Sequence, residues 1–101
     1  MEVYLLIKQK DSLDPTLNEN DLNSLGYRKL RDKNFEEAVS IFKINIALHP
    51  ESSNVYDSLG EAYAKSGDTL QAIENYEKSL SLDSGNRSAK RQLDKLNKVD
   101  K

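Results

Sequence analysis

Cysteine and tryptophan are absent from this sequence of 101 residues, which also has one histidine, two prolines and four glycines. Without cysteine the chain can form neither a disulfide framework nor a thiolate metal site. His49 has no second histidine or cysteine with which to build a metal site or a catalytic triad. The glycines are scattered rather than gathered into a phosphate-binding loop, and no serine lies in a Gly-x-Ser-x-Gly context. We therefore expect no catalytic residue, no metal ion and no cofactor, and a protein that is not an enzyme.

The chain also lacks a long apolar run and an excess of positive charge. Its apolar stretches fall well short of the roughly 20 residues that span a membrane, and its 15 basic residues are outnumbered by 17 acidic ones. Glu2 and a short apolar stretch do not make a secretory signal. We therefore expect neither membrane insertion nor a nucleic-acid partner. A cytoplasmic location suits the chain as it stands, and a periplasmic or secreted one suits a fragment of a larger protein.

What the sequence does contain is a repeat with a period of 34 residues. The segment from Asn54 to Asp83 has an earlier counterpart that begins at Asn20, and a fixed period of this length indicates stacked helix–turn–helix units. The identical pairs are Asn20/Asn54, Ser24/Ser58, Leu25/Leu59, Gly26/Gly60, Ala38/Ala72 and Leu48/Leu82, and the pairs that keep apolar character are Leu22/Tyr56, Val39/Ile73, Phe42/Tyr76 and Ile46/Leu80. The pattern predicts an all-α fold, an α–α superhelix.

This pattern resembles the tetratricopeptide repeat family, in which an aromatic residue, Leu-Gly, a second aromatic, an alanine, a third aromatic, a small residue and a proline recur in order. The matching positions are Leu25, Gly26, Ala38, Phe42 and Pro50 in the first repeat, and Tyr56, Leu59, Gly60, Tyr63, Ala72 and Tyr76 in the second. Leu22, Lys29 and Asn45 depart from the pattern in the first repeat, and Ser84 replaces proline in the second. The resemblance implies a scaffold that binds proteins or peptides.

The small residues at the repeated positions have a physical interpretation of their own. A glycine within a helix costs about 1 kcal/mol relative to alanine. Finding one at the same offset twice, at Gly26 and Gly60, therefore indicates a packing requirement. We predict that the helix backbones of each pair approach closely at Gly26/Ala38 and at Gly60/Ala72. Aromatic side chains would fill the core beside them.

Turn and capping residues divide the chain into four parts. We predict residues 1–15 as the second helix of a truncated preceding repeat, 19–52 and 53–86 as two full repeats, and 87–101 as a polar capping helix. An unrelated N-terminal helix is the alternative for residues 1–15. The predicted helix-starting residues are Asn18 or Thr16, Asn34, one of Ser52, Ser53 and Asn54, and Asp68, and Gly67 supplies a left-handed turn.

In a superhelix of helix pairs, the first helix of each pair lines the concave side. The predicted concave binding face consists of Asn20, Asn23, Tyr27, Leu30, Arg31, Asn54, Asp57, Ser58, Glu61 and Lys65, with Ala64, Ser88 and Gln92 alongside. Tyr27 and Leu30 would be its apolar anchor. The alternative is a solvated face that binds nothing.

Some members of this family hold the C-terminal carboxylate of a peptide with lysine, arginine and asparagine side chains. The corresponding positions here are Asn23, Tyr27, Ser58, Ser88 and Gln92. None of these is a cation, so the sequence does not support such a carboxylate clamp.

Two further hypotheses concern what this module belongs to. The segments Glu19–Tyr27, Phe42–Asn45 and Asn54–Tyr63 resemble repeat tails at the C-terminal end of bacterial serine hydrolases of β-lactamase-like or esterase type. That resemblance implies an accessory tail used for assembly or docking, and the truncated first repeat favours an excised fragment. Self-association through the face left open by the missing helix is the other possibility.

Overall fold

The computed structural model describes residues 18–99, which form five α-helices and, within that range, no β-strand. The helices are α1 (Glu19–Arg31), α2 (Phe35–Leu48), α3 (Ser53–Ser66), α4 (Thr69–Leu82) and α5 (Arg87–Val99). Successive helices pack against each other, and α1 also contacts α3. The predicted all-α helical-repeat fold is confirmed. The helix predicted within residues 1–15 lies outside the described residues.

Most of the predicted helix boundaries are confirmed. The Asn18 side chain caps α1 by accepting a hydrogen bond from the Asp21 backbone N–H at 2.9 Å. Gly67 ends α3 in the left-handed conformation, with φ of 93°. Asp68 then caps α4 by accepting from the Gln71 N–H at 3.2 Å.

Asn34 and Ser52, the latter one of three candidates, are confirmed as the N-cap residues of α2 and α3, but neither side chain makes a capping hydrogen bond to the backbone. The Ser52 hydroxyl instead donates to Glu19 Oε2 at 2.8 Å, because the start of α1 lies beside the turn that leads into α3. A tertiary contact has therefore replaced the local one.

The repeated glycines make room for aromatic rings on the second helix of each pair. A Cβ atom on Gly26 would lie 2.6 Å from Cζ of Phe42, and one on Gly60 would lie 2.9 Å from Cε1 of Tyr76. Both rings are fully buried, at 0% and 1% exposure. The predicted packing requirement is confirmed, since the ring on the second helix of each pair fills the space beside the glycine.

Hydrogen bonds join the two helices of each pair at the end that leads into the next helix. Ser79 Oγ donates to the Ser53 carbonyl at 2.8 Å, and Asn86 Nδ2 donates to the hydroxyls of both serines, at 2.9 Å to Ser79 and 3.0 Å to Ser53. In the first repeat Asn45 occupies the position of Ser79, and its Nδ2 donates to the Glu19 carbonyl at 3.1 Å. The departure of Asn45 from the family pattern therefore keeps a donor at this junction.

The last helix, α5, packs an apolar stripe against α4. Ala89 is fully buried against Ala72 and Tyr76, with Leu93 and Leu96 partly buried beside it. The rest of its described surface is mostly exposed and polar. Between residues 18 and 99, no helix has the length and apolarity needed to cross a membrane.

Candidate binding groove

The first helices of the two pairs, α1 and α3, are joined by side-chain hydrogen bonds. The Tyr27 hydroxyl donates to Glu61 Oε1 at 3.0 Å, and the Ser58 hydroxyl donates to Asn23 Oδ1 at 2.6 Å. The Tyr27 ring also packs edge-on against Phe42, with centroids 5.2 Å apart. We call the surface formed by these two helices, from Asn20 and Asn54 to Arg31 and Lys65, the α1–α3 face.

The residues predicted for the binding face differ widely in exposure. Leu30 and Ser58 are only 5% and 3% exposed, so they support the face from the interior and offer little area to a ligand. Leu30 therefore does not serve as an exposed apolar anchor, because its side chain packs into the core with Phe42. Asn23, Tyr27, Asp57 and Glu61 are half-buried, and Asn20, Arg31, Asn54 and Lys65 are exposed.

One end of this face opens into a cleft of about 460 Å³, which we call the turn cleft because it lies beside the α1–α2 turn. It is lined by Tyr27, Leu30, Arg31, Lys33, Phe35, Glu61 and Lys65. Sequence reasoning had identified five of these and missed Lys33 and Phe35. The sequence did mark Lys33 as unusual, because it occupies in the first repeat the turn position that Gly67 occupies in the second.

Burial controls the protonation of the polar groups on this face. It raises the pKa of Tyr27 to about 12, so the phenol stays protonated at neutral pH and remains a donor to Glu61. Burial also raises the pKa of the Asp57 carboxyl, and Glu61 adds to the rise, whereas Ser88 and Asn86 oppose it. Asp57 and Glu61 lie one helical turn apart, so two acidic side chains stand at the middle of the face.

The raised pKa of Asp57 predicts that Asp57→Asn stabilises the protein at pH 7. When the pKa of a carboxyl in the folded protein exceeds its ordinary value of 3.8, the free energy of unfolding falls as the pH rises from 3.8 through the folded pKa. The amide of asparagine does not ionise, so this loss does not occur in the variant. We therefore expect the variant to be more stable than wild type at pH 7 and about equally stable at acid pH. Urea unfolding followed by circular dichroism measures the difference.

Asp94→Asn is the matched control for this prediction, because it makes the same charge change at an exposed site on α5. We expect it to have little effect on the pH dependence. A wild type more stable than Asp57→Asn at neutral pH would contradict the prediction.

Other surface features lie away from the predicted binding face. A second cleft, also of about 460 Å³, shares Phe35 and is lined on its other sides by Val39, Lys43, Tyr63 and Asp68, among others. It contains none of the predicted binding residues. His49 is half-buried beside Glu19 and Pro50. In the range 18–99, no three histidine or acidic side chains are grouped closely enough to hold a metal ion.

Stacked helix pairs with a polar, partly aromatic face along their first helices define a helical-repeat protein. Residues 53–86 match the family model described as tetratricopeptide repeat. The resemblance to that family is thereby supported, and the resemblance to serine hydrolase tails is not shown.

Two curated relatives share part of the sequence. The chain is 37% identical over 60 residues to Superkiller protein 3 of Schizosaccharomyces pombe, covering 59% of this chain and 4% of that protein. It is 34% identical over 67 residues to heat shock protein STI1 of Saccharomyces cerevisiae, covering 66% of this chain and 11% of that protein. The chain thus spans a small fraction of either relative.

Solved structures show the same fold. The first tetratricopeptide domain of Spaghetti (RPAP3), bound to the HSP90 peptide SRMEEVD, superposes with a TM-score of 0.77 at 23% identity, covering 97% of this chain and 77% of that one. Residues 41 to the end of MamA from Desulfovibrio magneticus superpose with a TM-score of 0.76 at 20% identity, covering 98% and 55%. At these identities the likeness concerns the fold.

Proposed function

We propose that this chain is a non-catalytic interaction module that binds a peptide or partner protein along the α1–α3 face. The observation that carries the proposal is the turn cleft at the end of a polar face that also holds Tyr27, Asp57 and Glu61. Half-buried aromatic and charged side chains of this kind supply much of the energy of protein recognition. The match to a repeat family of interaction modules supports the same function.

The mode of binding should differ from capture of a terminal carboxylate. The positions that would form a carboxylate clamp hold Asn23, Tyr27, Ser58, Ser88 and Gln92, none of which is charged at neutral pH. Ser58 is buried, and Tyr27 is committed to Glu61. We therefore propose that an internal segment of the partner is bound, and that a free C-terminus is not required.

Affinity measurements on variants of the two surfaces test the proposal. Peptides would first be selected on the wild-type protein from a random-peptide display library, and their affinities then measured by fluorescence anisotropy. The groove variant Arg31→Glu with Asn54→Glu alters both ends of the α1–α3 face, and both positions are exposed. We expect it to weaken binding by about tenfold or more, equivalent to about 1.4 kcal/mol.

The matched control is Lys43→Glu with Ala47→Glu on α2, which makes the same change in net charge at two exposed positions. We expect it to bind the selected peptides as wild type does. Loss of binding in the control alone, with the groove variant unaffected, would place the ligand on the opposite helices and overturn the proposal. Sedimentation of the free protein at two concentrations would test the separate hypothesis of self-association.

A further inference from the structure

We propose that the turn cleft is a subsite for an aromatic residue followed by an acidic one in the bound peptide. This inference rests on the proposed function and adds the chemistry of the ligand. The cleft combines an apolar lining with three basic side chains at its edge. A pocket of a few hundred Å³ with that combination can accept one large side chain and an adjoining carboxylate.

The apolar part of the turn cleft comes from three side chains on two helices. Tyr27 and Phe35 are half-buried, and Leu30 lies beneath them at 5% exposure. The Tyr27 ring is held by its edge-on contact with Phe42 and by its hydrogen bond to Glu61. These contacts fix the wall before any ligand arrives, so little ordering of the protein is needed on binding.

The basic side chains that line the cleft outnumber its one acidic side chain. Glu61 accepts from Tyr27, and Lys65 Nζ lies 4.0 Å from its other carboxylate oxygen. Arg31 and Lys33 are both exposed, and neither pairs with a carboxylate within residues 18–99. As far as residues 18–99 are concerned, these two cations remain for a carboxylate of the ligand to pair with.

The backbone at Lys33 gives an independent reason to assign it a role. Lys33 has φ of 62°, in the left-handed region that favours glycine. The equivalent turn of the second repeat places Gly67 there, with φ of 93° and nothing near where a side chain would be. The first repeat thus holds a lysine in a strained conformation, and that lysine lines the cleft. Strain of this kind is commonly retained where a side chain is needed for function.

The proposal is tested with short probes that do not depend on knowing the partner. N-acetyl-Phe-Glu-amide and N-acetyl-Phe-Gln-amide would be titrated into the full chain, with amide chemical shifts followed by NMR. We expect both to shift amides around Tyr27, Phe35 and Lys65. The Glu probe should bind about fivefold more tightly, because a partly exposed ion pair contributes on the order of 1 kcal/mol, and this preference should fall as salt is raised.

Lys33→Gly separates the role of the side chain from stability. We expect this variant to lose most of the preference for the Glu probe while its urea unfolding midpoint rises, because glycine relieves the left-handed strain. Lys43→Gln removes one positive charge outside the turn cleft and should keep the preference. Equal binding of the two probes by wild type, or shifts confined to the cleft around Val39 and Lys43, would overturn the inference. Library peptides that bind the α1–α3 face without acidic residues would overturn this inference alone and leave the proposed function standing.

Discussion

Replacing Gly26 by alanine is expected to destabilise the protein by about 3 kcal/mol, at the upper end of the usual cost of overpacking a core. The new Cβ would lie 2.6 Å from Cζ of Phe42. That ring cannot move aside easily, because it is fully buried and packs edge-on against Tyr27. Alanine forms helices better than glycine by about 1 kcal/mol. The free-energy cost of the clash must therefore exceed this gain for the variant to be less stable than wild type. Urea unfolding monitored by far-UV circular dichroism measures the change.

The second repeat supplies a matched comparison for this prediction. Gly60→Ala makes the same substitution, but its Cβ would lie 2.9 Å from the nearest atom of Tyr76, so a smaller shift of the ring relieves the contact. We expect Gly60→Ala to cost less than Gly26→Ala. Adding Phe42→Leu to Gly26→Ala should recover part of the loss by vacating the space. If Gly26→Ala proves as stable as wild type, the glycine does not make room for the ring.

The helix boundaries could be predicted because they are set by local chemistry. The side chains of Asn18 and Asp68 accept hydrogen bonds from backbone N–H groups three residues later, and Gly67 turns the chain at the end of a helix. The structure confirms all three. The all-α repeat fold was predictable for a related reason, since the same apolar spacing occurs twice at one period. Ser52 was one of three candidates for the cap of α3 and does occupy the N-cap position, but the bond from its hydroxyl to Glu19 could not be predicted because Glu19 is remote in sequence.

Tertiary packing decided the features that the sequence could not reveal. A repeat period shows which helix face is apolar, but a position such as Leu30 can face either the core or the groove, and its burial against Phe42 depends on how the pairs stack. The same holds for Gly26, whose neighbour proved to be a ring on the second helix. Lys33 and Phe35 were not predicted because they lie in the α1–α2 turn and at the start of α2, outside the first helices of the pairs, and only the folded structure brings them to the cleft.

Asn86→Ala is expected to cost about 2 to 3 kcal/mol, because one side chain holds the last helix in two ways. Its Oδ1 accepts from the Ala89 N–H at 3.2 Å at the start of α5. Its Nδ2 donates to the hydroxyls of Ser53 and Ser79, and Ser79 is fully buried. Alanine removes the helix cap and leaves those two hydroxyls with fewer partners. The loss should fall mainly on α5, since Asn86 joins that helix to the pair before it.

Hydrogen exchange and urea unfolding together test this localisation. In Asn86→Ala, we expect the amides of α5 to exchange faster by a larger factor than those of α1 and α2, because the cap and the junction bonds belong to the α5 end of the stack. Asn75→Ala is the matched control: the Asn75 amide donates only within α4, to the Gln71 carbonyl at 2.8 Å at an exposed site. Its removal should have little effect on stability, since alanine also favours the helix. Equal losses in the two variants, or uniform acceleration of exchange in all helices, would show that Asn86 does not specifically anchor the terminal helix.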